Sequence, residues 1–246
     1  LLSYVFGTDC VPVLLVSSDF PLEDERANGM ANFMRAVEFI KCREGRGVFV
    51  SYRNDRNEEA DIYRGTRLLM HQPYSARLYP LDGVSFHGKV CYNREASMDR
   101  MERPDGQELR LTEDAGNILW IRPCVGMTYP QAGPQVRAVL HDSYHSGTIA
   151  VNAGLEEFAG RMEQAGIPVY LTGASSGEAE YETVRMYEQY GIRVLPKMSL
   201  IAAYCKLWLA LSNDLDVNSI MNTCIAEDII QEQRGVIRTD EQSRRD

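Results

Sequence analysis

Several common chemistries are missing from this sequence at the level of spelling. It contains no GxGxxG, no GxxxxGK[ST] and no HExxH, so dinucleotide loops, phosphate loops of that kind and zincin sites have no support. Its six cysteines (Cys10, Cys42, Cys91, Cys124, Cys205 and Cys224) show neither a CxxC nor a paired Cys/His spacing. In a chain of 246 residues that reads as reduced, mostly buried thiols, not a disulfide framework or a metal centre. No metal and no cofactor are expected. No apolar run approaches the roughly 18 residues of a membrane span, and Val11–Val16 is only strand-sized. Leu1–Phe6 has no basic region or cleavage site of a signal peptide. No Asn-x-Ser/Thr sequon occurs, which agrees with the cytoplasm as the expected compartment. With 35 acidic against 26 basic residues the net charge is −9, which argues against a protein that tracks nucleic-acid phosphates. The Arg244–Arg245 pair is too small to change that.

What is present is an alternation of short β-branched runs with helical patterns. Val11–Ser17 is apolar throughout, which predicts a strand covered on both faces. A helix follows over Asn28–Lys41, with Asn28 as its cap and Phe33, Met34, Val37 and Ile40 close to one face. Gly47–Tyr52 is the next strand, completing a β-α-β unit of the kind that builds parallel sheets. Between Cys91 and Gly116 the pattern gives way to charge, with a turn at Pro104-Asp105-Gly106, and reads as a connection between domains. A second alternation then opens at Asn117–Arg122. Strands are predicted at Gln135–His141, Ile167–Thr172 and Ile192–Leu195, and helices at Asn152–Gln164, Gly177–Gln189 and Ser199–Leu211. Gly166 and Gly191 stop two of these helices just before a strand. Beyond Asn218 one amphipathic helix with a polar end is expected.

The polar run His141-Asp142-Ser143-Tyr144-His145-Ser146-Gly147-Thr148 directly follows a strand. Neighbouring residues of a strand point to opposite faces, so His141, Asp142 and Ser143 do not make a Ser-His-Asp triad by themselves. A loop at the carboxyl end of a parallel strand is where open α/β sheets bind ligands, although an ordinary solvated loop has the same composition. Thr172–Glu178 holds the equivalent place before a helix, where small residues and free N–H groups suit a carboxylate or simply cap the helix. His71 and His87 read as lone structural or surface histidines. Arg64-Gly65-Thr66-Arg67, after the polar loop Asn54–Asp61, reads equally as an exposed hairpin arm.

These residues resemble a family. Pro12-Val13-Leu14-Leu15, Pro21-Leu22, Arg26, Gly29, Asn32 and Ala36 are similar to the PVVLTGSQ-PL…RSDG..NL..A run of the asparaginase/glutaminase family, in its cytoplasmic type I branch. Tyr63-Arg64-Gly65-Thr66-Arg67 resembles its YRGNR element, and Ser143-Tyr144-His145-Ser146-Gly147 its TYGSG loop. Gly166-Ile167-Pro168-Val169 resembles GIPVV, and Met198-Ser199 with Ala202, Lys206 and Leu207 resembles DMTPEAALAKL. The motifs occur in the family's order along nearly the whole chain.

The resemblance implies two unequal α/β domains with parallel sheets flanked by helices. It also implies homodimers or homotetramers, and hydrolysis of a side-chain amide through a threonine nucleophile and an acyl-enzyme. Such a hydroxyl needs an adjacent base. The TGGTI and HGTDT motifs that carry the threonines are absent from these 246 residues. Gly7-Thr8-Asp9 only mimics the second. The chain does not begin with Met, so the first domain is expected to be incomplete at its N-terminus, with roughly 80 to 100 residues before Leu1. The family's lysine falls at Met70, which can neither give nor take a proton, and TGS becomes Val16-Ser17-Ser18.

The resemblance therefore assigns no catalytic residue within the chain. Ser17, Ser18, Ser143, Tyr144, Ser146 and Thr148 become candidate binders of a small-molecule amide or amino acid. Residues 1–90 are expected to be the rest of the first domain, 91–116 the connection, 117–211 the smaller second domain and 212–246 a helix and tail. Two alternatives stand beside an asparaginase: a non-catalytic amino-acid or amide-binding protein of the same fold, and an amidohydrolase for another amide.

Overall fold

The computed structural model describes residues 1–42, 45–54, 59–81, 97–112, 117–174 and 182–230. His87, Cys91, the loop residues Ser175–Glu178 and the end of the tail lie outside the described residues.

The first unit starts with a short helix, α1 (Leu2–Phe6), and then forms β1 (Val13–Val16), α2 (Gly29–Cys42), β2 (Val48–Tyr52) and β3 (Asp61–Arg64). β1 and β2 are parallel, with Val13 opposite Val48 and Val16 opposite Ser51, as the β-α-β pattern predicts. β3 joins the other side of β2 in the antiparallel sense, Phe49 facing Arg64 and Tyr52 facing Asp61. An antiparallel partner needs no crossover helix, so a short polar loop suffices for it and this sheet is mixed.

Among the described residues β1 is an edge strand, not a covered one: Leu15 and Val16 remain 42% and 39% exposed. The helix beside it is turned the other way from its apolar stripe. α2 buries Gly29, Asn32, Ala36 and Phe39, while Phe33 and Met34 are 54% and 50% exposed and Ile40 also faces out. Small residues let the helix sit close on the sheet. Asn32 is buried with both ends of its amide engaged, donating to Ser17 O at 2.8 Å and accepting from Arg53 N at 2.7 Å. The first N–H of α2 goes to Ser18 Oγ at 3.1 Å, not to Asn28, whose side chain is spent on Asp19 and Arg53 O.

The second unit is wholly parallel. β5 (Ile118–Ile121), β6 (Ala138–His141), β7 (Val169–Leu171) and β8 (Ile192–Val194) lie in sequence order. Helices α3 (Ala153–Gln164), α4 (Glu182–Gln189) and α5 (Leu200–Ser212) complete it. Alternation along the strands divides the core. Val139 and Leu171 pack with Leu155, Phe158 and Tyr187 on one face. Leu140 and Tyr170 pack with Ala203 and Leu207 of α5 on the other. Asn152 caps α3 through Leu155 N at 3.0 Å. Gly166 and Gly191, both at φ 67°, turn the chain out of α3 and α4 into the next strand.

The charged connection, where described, is docked. β4 (Ser97–Met98) pairs in parallel with β9 (Cys224–Ile225), Met101 is buried, and Arg110 and Asn213 exchange two hydrogen bonds. Gly106 N closes the predicted turn onto Arg103 O at 3.0 Å. The tail is not one amphipathic helix: α6 (Val217–Asn222) ends after six residues, and β9 and a packed loop follow to Ile230. Its centre is Asp228, a charged residue that a helical pattern places outside and a buried lysine draws in. The cysteines also differ from expectation. Cys42 and Cys124 are exposed and Cys10, Cys205 and Cys224 are partly buried: Cys42 ends α2, Cys10 and Cys124 lie in loops, Cys224 is on a two-residue strand, and Cys205 sits within α5.

Candidate functional site

The polar run after β6 folds into a tight turn at the carboxyl end of the second sheet. Gly147 N donates to Tyr144 O and Tyr144 N to Thr148 O, both at 2.8 Å, with Gly147 at φ 74°. The turn brings Ser146 Oγ and Thr148 Oγ1 to 2.8 Å. Ser143 lies across from the end of β7, where Gly173 (φ 75°) comes so close that a Cβ would sit 2.3 Å from Ser143 Oγ. The positive φ favours glycine there, and a side chain would have to displace the Ser143 hydroxyl. Tyr144 reaches back toward Cys124 O at 3.5 Å, a weak contact.

His141 is structural. Its Nδ1 is 2.5 Å from the carbonyl of Asp142, which can only accept, so Nδ1 carries the proton; Nε2 then accepts from Tyr129 OH at 3.1 Å. Burial holds the imidazole below its ordinary pKa, with the Asp142 carbonyl and carboxylate opposing, and pushes the Tyr129 phenol up to about 12. Both ring nitrogens of His141 are engaged, so this imidazole is not available as a base for Ser143. Burial also raises the Asp142 carboxyl, against Ser143 N, Arg122 and Thr172. Half-buried and hydrogen-bonded to Ser143 N at 2.9 Å, it orders the loop.

Ser17 and Ser18 belong to the other sheet, at the carboxyl end of β1. Ser18 Oγ donates to Phe20 O at 2.7 Å while capping α2, and Ser17 O accepts from Asn32. Exposed beside them is Asp19. Its carboxylate is held by Asn28 Nδ2 at 3.0 Å and by the Tyr52 hydroxyl, which also lies 2.7 Å from Ala76 O. Sequence reading passed over Asp19 and Tyr52. The only available signal was their position at the ends of two adjacent parallel strands.

A hairpin arm begins at Leu68, which bridges Pro80, and carries half-buried Met70 and exposed His71. Asn54 ties it to the sheet through both the N and O of Leu78. Arg64 and Thr66, one reading of which was an exposed arm, are buried at its base. Thr8 and Asp9 are taken by Asp99 (2.7 Å) and Arg46 (2.7 Å) on the surface. The spelling Gly173-Ala174-Ser175-Ser176-Gly177 fits the GxSxG of a nucleophile elbow, contrary to the expectation that the sequence holds no such motif; from Ser175 onward it lies outside the described residues.

Among the described residues no cluster of His, Cys, Asp and Glu has the geometry of a metal site, and no helix is long and apolar enough to cross a membrane. The architecture is that of an α/β protein with a three-stranded and a four-stranded sheet, a small β4–β9 pair, and polar loops at the carboxyl ends of parallel strands.

Solved structures of that architecture include L-asparaginases. The thermostable L-asparaginase of Thermococcus kodakarensis matches with a TM-score of 0.65 at 20% identity, covering 94% of this chain and 71% of that one. L-asparaginase I of Vibrio cholerae matches at 0.63 and 21%, again over 94% and 71%. A probable cytoplasmic L-asparaginase of Campylobacter jejuni matches at 0.56 and 17%, over 89% and 68%. The chain has the L-asparaginase fold. No protein-family profile and no curated protein sequence matches it.

Proposed function

We propose that this chain is the larger part of an asparaginase-type amidohydrolase, working in the cytoplasm as a homodimer or homotetramer, whose catalytic threonines lie outside these 246 residues. The observation that carries the reading is the likeness to L-asparaginases over 94% of the chain. The in-order motifs support it, as do the hydroxyl-rich loops at strand ends in both units. In this reading Ser143, Tyr144, Ser146 and Thr148 hold the substrate's α-carboxylate or α-amine, with Ser17 and Ser18 shaping the end of the first sheet. Ser18 contributes through the helix it caps, since its hydroxyl is already used twice.

Activity is tested by ammonia release. The chain alone, at millimolar asparagine, should stay at the level of a heat-killed control, because it holds no TGGTI or HGTDT segment; release well above that level would refute the assignment of the nucleophile. Met70 favours one second reading, a non-catalytic amino-acid binder of the same fold, since a thioether moves no proton. Intact TGGTI and HGTDT motifs in the upstream coding sequence would decide for the enzyme, and degenerate ones for the binder.

Both readings place the ligand on the turn after β6. Ser146→Ala in the full-length protein should weaken aspartate binding by about 1–3 kcal/mol, the cost of one lost hydrogen bond in a closed site. Isothermal calorimetry measures it, and an unchanged affinity would return the turn to a solvated loop.

A further inference from the structure

We propose that Ala226 and Glu227 form a strained clasp on the base of the hairpin arm, and that clasp and arm open together as one local unit while the four-stranded sheet stays folded. The inference is independent of which ligand the protein takes.

Two consecutive non-glycine residues sit in the left-handed region, Ala226 at φ 51° and Glu227 at φ 58°. That conformation is costly for any residue with a Cβ, and such strain persists only where the surroundings over-determine it. Here they do. Thr66 Oγ1 donates to Ala226 O at 2.9 Å, and Arg67 Nε donates to Glu227 O at 3.0 Å. Arg64 Nη2 lies 3.1 Å from Glu227 Oε2, with the two side chains only 1% and 11% exposed.

The strained pair is anchored on both sides. Before it, β9 pairs with β4 and Ala226 N donates to Met98 O at 3.1 Å. After it, Asp228 is fixed on Lys206 at 2.8 Å, Ile229 bridges Met198, and Ile230 N donates to Lys197 O at 2.9 Å. The arm's base hangs on the clasp through Arg64, Thr66 and Arg67, with Ser199 Oγ adding a bond to Leu68 O at 2.5 Å. Its own ladder is short: Leu69 N to Tyr79 O at 2.8 Å and Leu81 N to Arg67 O at 2.7 Å. Releasing the clasp relaxes two residues and removes three partners from the base at once. Strain therefore lowers the free energy of this opening relative to that of the sheet, which makes it a separate cooperative unit. The arm's far side touches the Asp19–Tyr52 cluster through Ala76, so the opening uncovers the end of the first sheet.

The test is native-state hydrogen exchange of the chain. Glu227→Gln should speed exchange at Leu69, Leu81 and Ala226 together, by roughly ten-fold for a weakened charge-assisted contact. Val139 and Thr172, whose N–H groups bond within the four-stranded unit, should be unchanged. Ala226→Gly should slow exchange at Leu69 and Leu81 by about five-fold, because glycine bears no left-handed penalty. If Glu227→Gln does not fold, Thr66→Val, which removes only the hydroxyl bond to Ala226 O, should give the same local acceleration. Equal changes in the sheet amides, or no change in the arm amides, would overturn the proposal.

Discussion

Lys206→Met should lower the unfolding free energy of the chain by about 3–5 kcal/mol, the usual cost of stranding one partner of a buried ion pair. Lys206 and Asp228 are both fully enclosed, 2.8 Å apart. Asp228 also accepts from Tyr4 OH at 2.9 Å and from Ile225 N at 2.9 Å. Methionine keeps most of the volume and flexibility of the lysine stem, so a cavity is not what is measured. The loss comes from a carboxylate left in a dry site with two neutral donors. Burial pushes the Lys206 ammonium below its ordinary pKa, and Asp228 beside it pulls the other way. That competition is why the pair is worth little as a pair yet costly to break. Lys206→Met combined with Asp228→Asn should therefore recover more than half of the loss. Urea denaturation with an unchanged slope measures both variants; a single-variant loss under about 1 kcal/mol would mean that water reaches Asp228.

That pair also shows where sequence stops being informative. Lys206 sits mid-helix among Leu, Trp and Ala, where snorkelling is the ordinary expectation, and Asp228 lies in a stretch that looks polar and frayed. Nothing local says that they meet, since the encounter depends on β9 pairing with a segment more than 120 residues earlier. By contrast, the four parallel strands and α3 were legible, because each is decided within a dozen residues by apolar runs, an Asn cap and a stopping glycine. β3 was not, since Asp61–Arg64 reads as polar loop and hairpin arm until it pairs with β2. For the candidate site, sequence marked the turn 143–148 by composition and position. It missed Asp19 and Tyr52, which are ordinary residues until the sheet aligns the ends of β1 and β2. His141 is the opposite case: conspicuous in sequence, fully satisfied in the fold.

Phe33→Lys with Met34→Lys should change unfolding free energy by no more than about 0.5 kcal/mol, as for exposed positions. Had the apolar stripe of α2 faced the core, as periodicity suggests, Phe33→Lys alone would cost at least the roughly 3–5 kcal/mol of losing a buried phenylalanine. The structure instead presses Asn32, Ala36 and Phe39 against the sheet and leaves Met30, Phe33, Met34 and Ile40 outside, beside an edge strand with Leu15 and Val16 also uncovered. An apolar face of this kind next to unpaired strand edge groups is adhesive in water. The chain as given should therefore self-associate at micromolar concentration and bind a hydrophobic dye. The double lysine variant should sediment as a smaller species and lose most of the dye signal. Denaturation, sedimentation velocity and dye fluorescence on the same two samples decide it. A large stability loss would put the stripe back in the core, and unchanged sedimentation would mean that this face makes no contacts between copies.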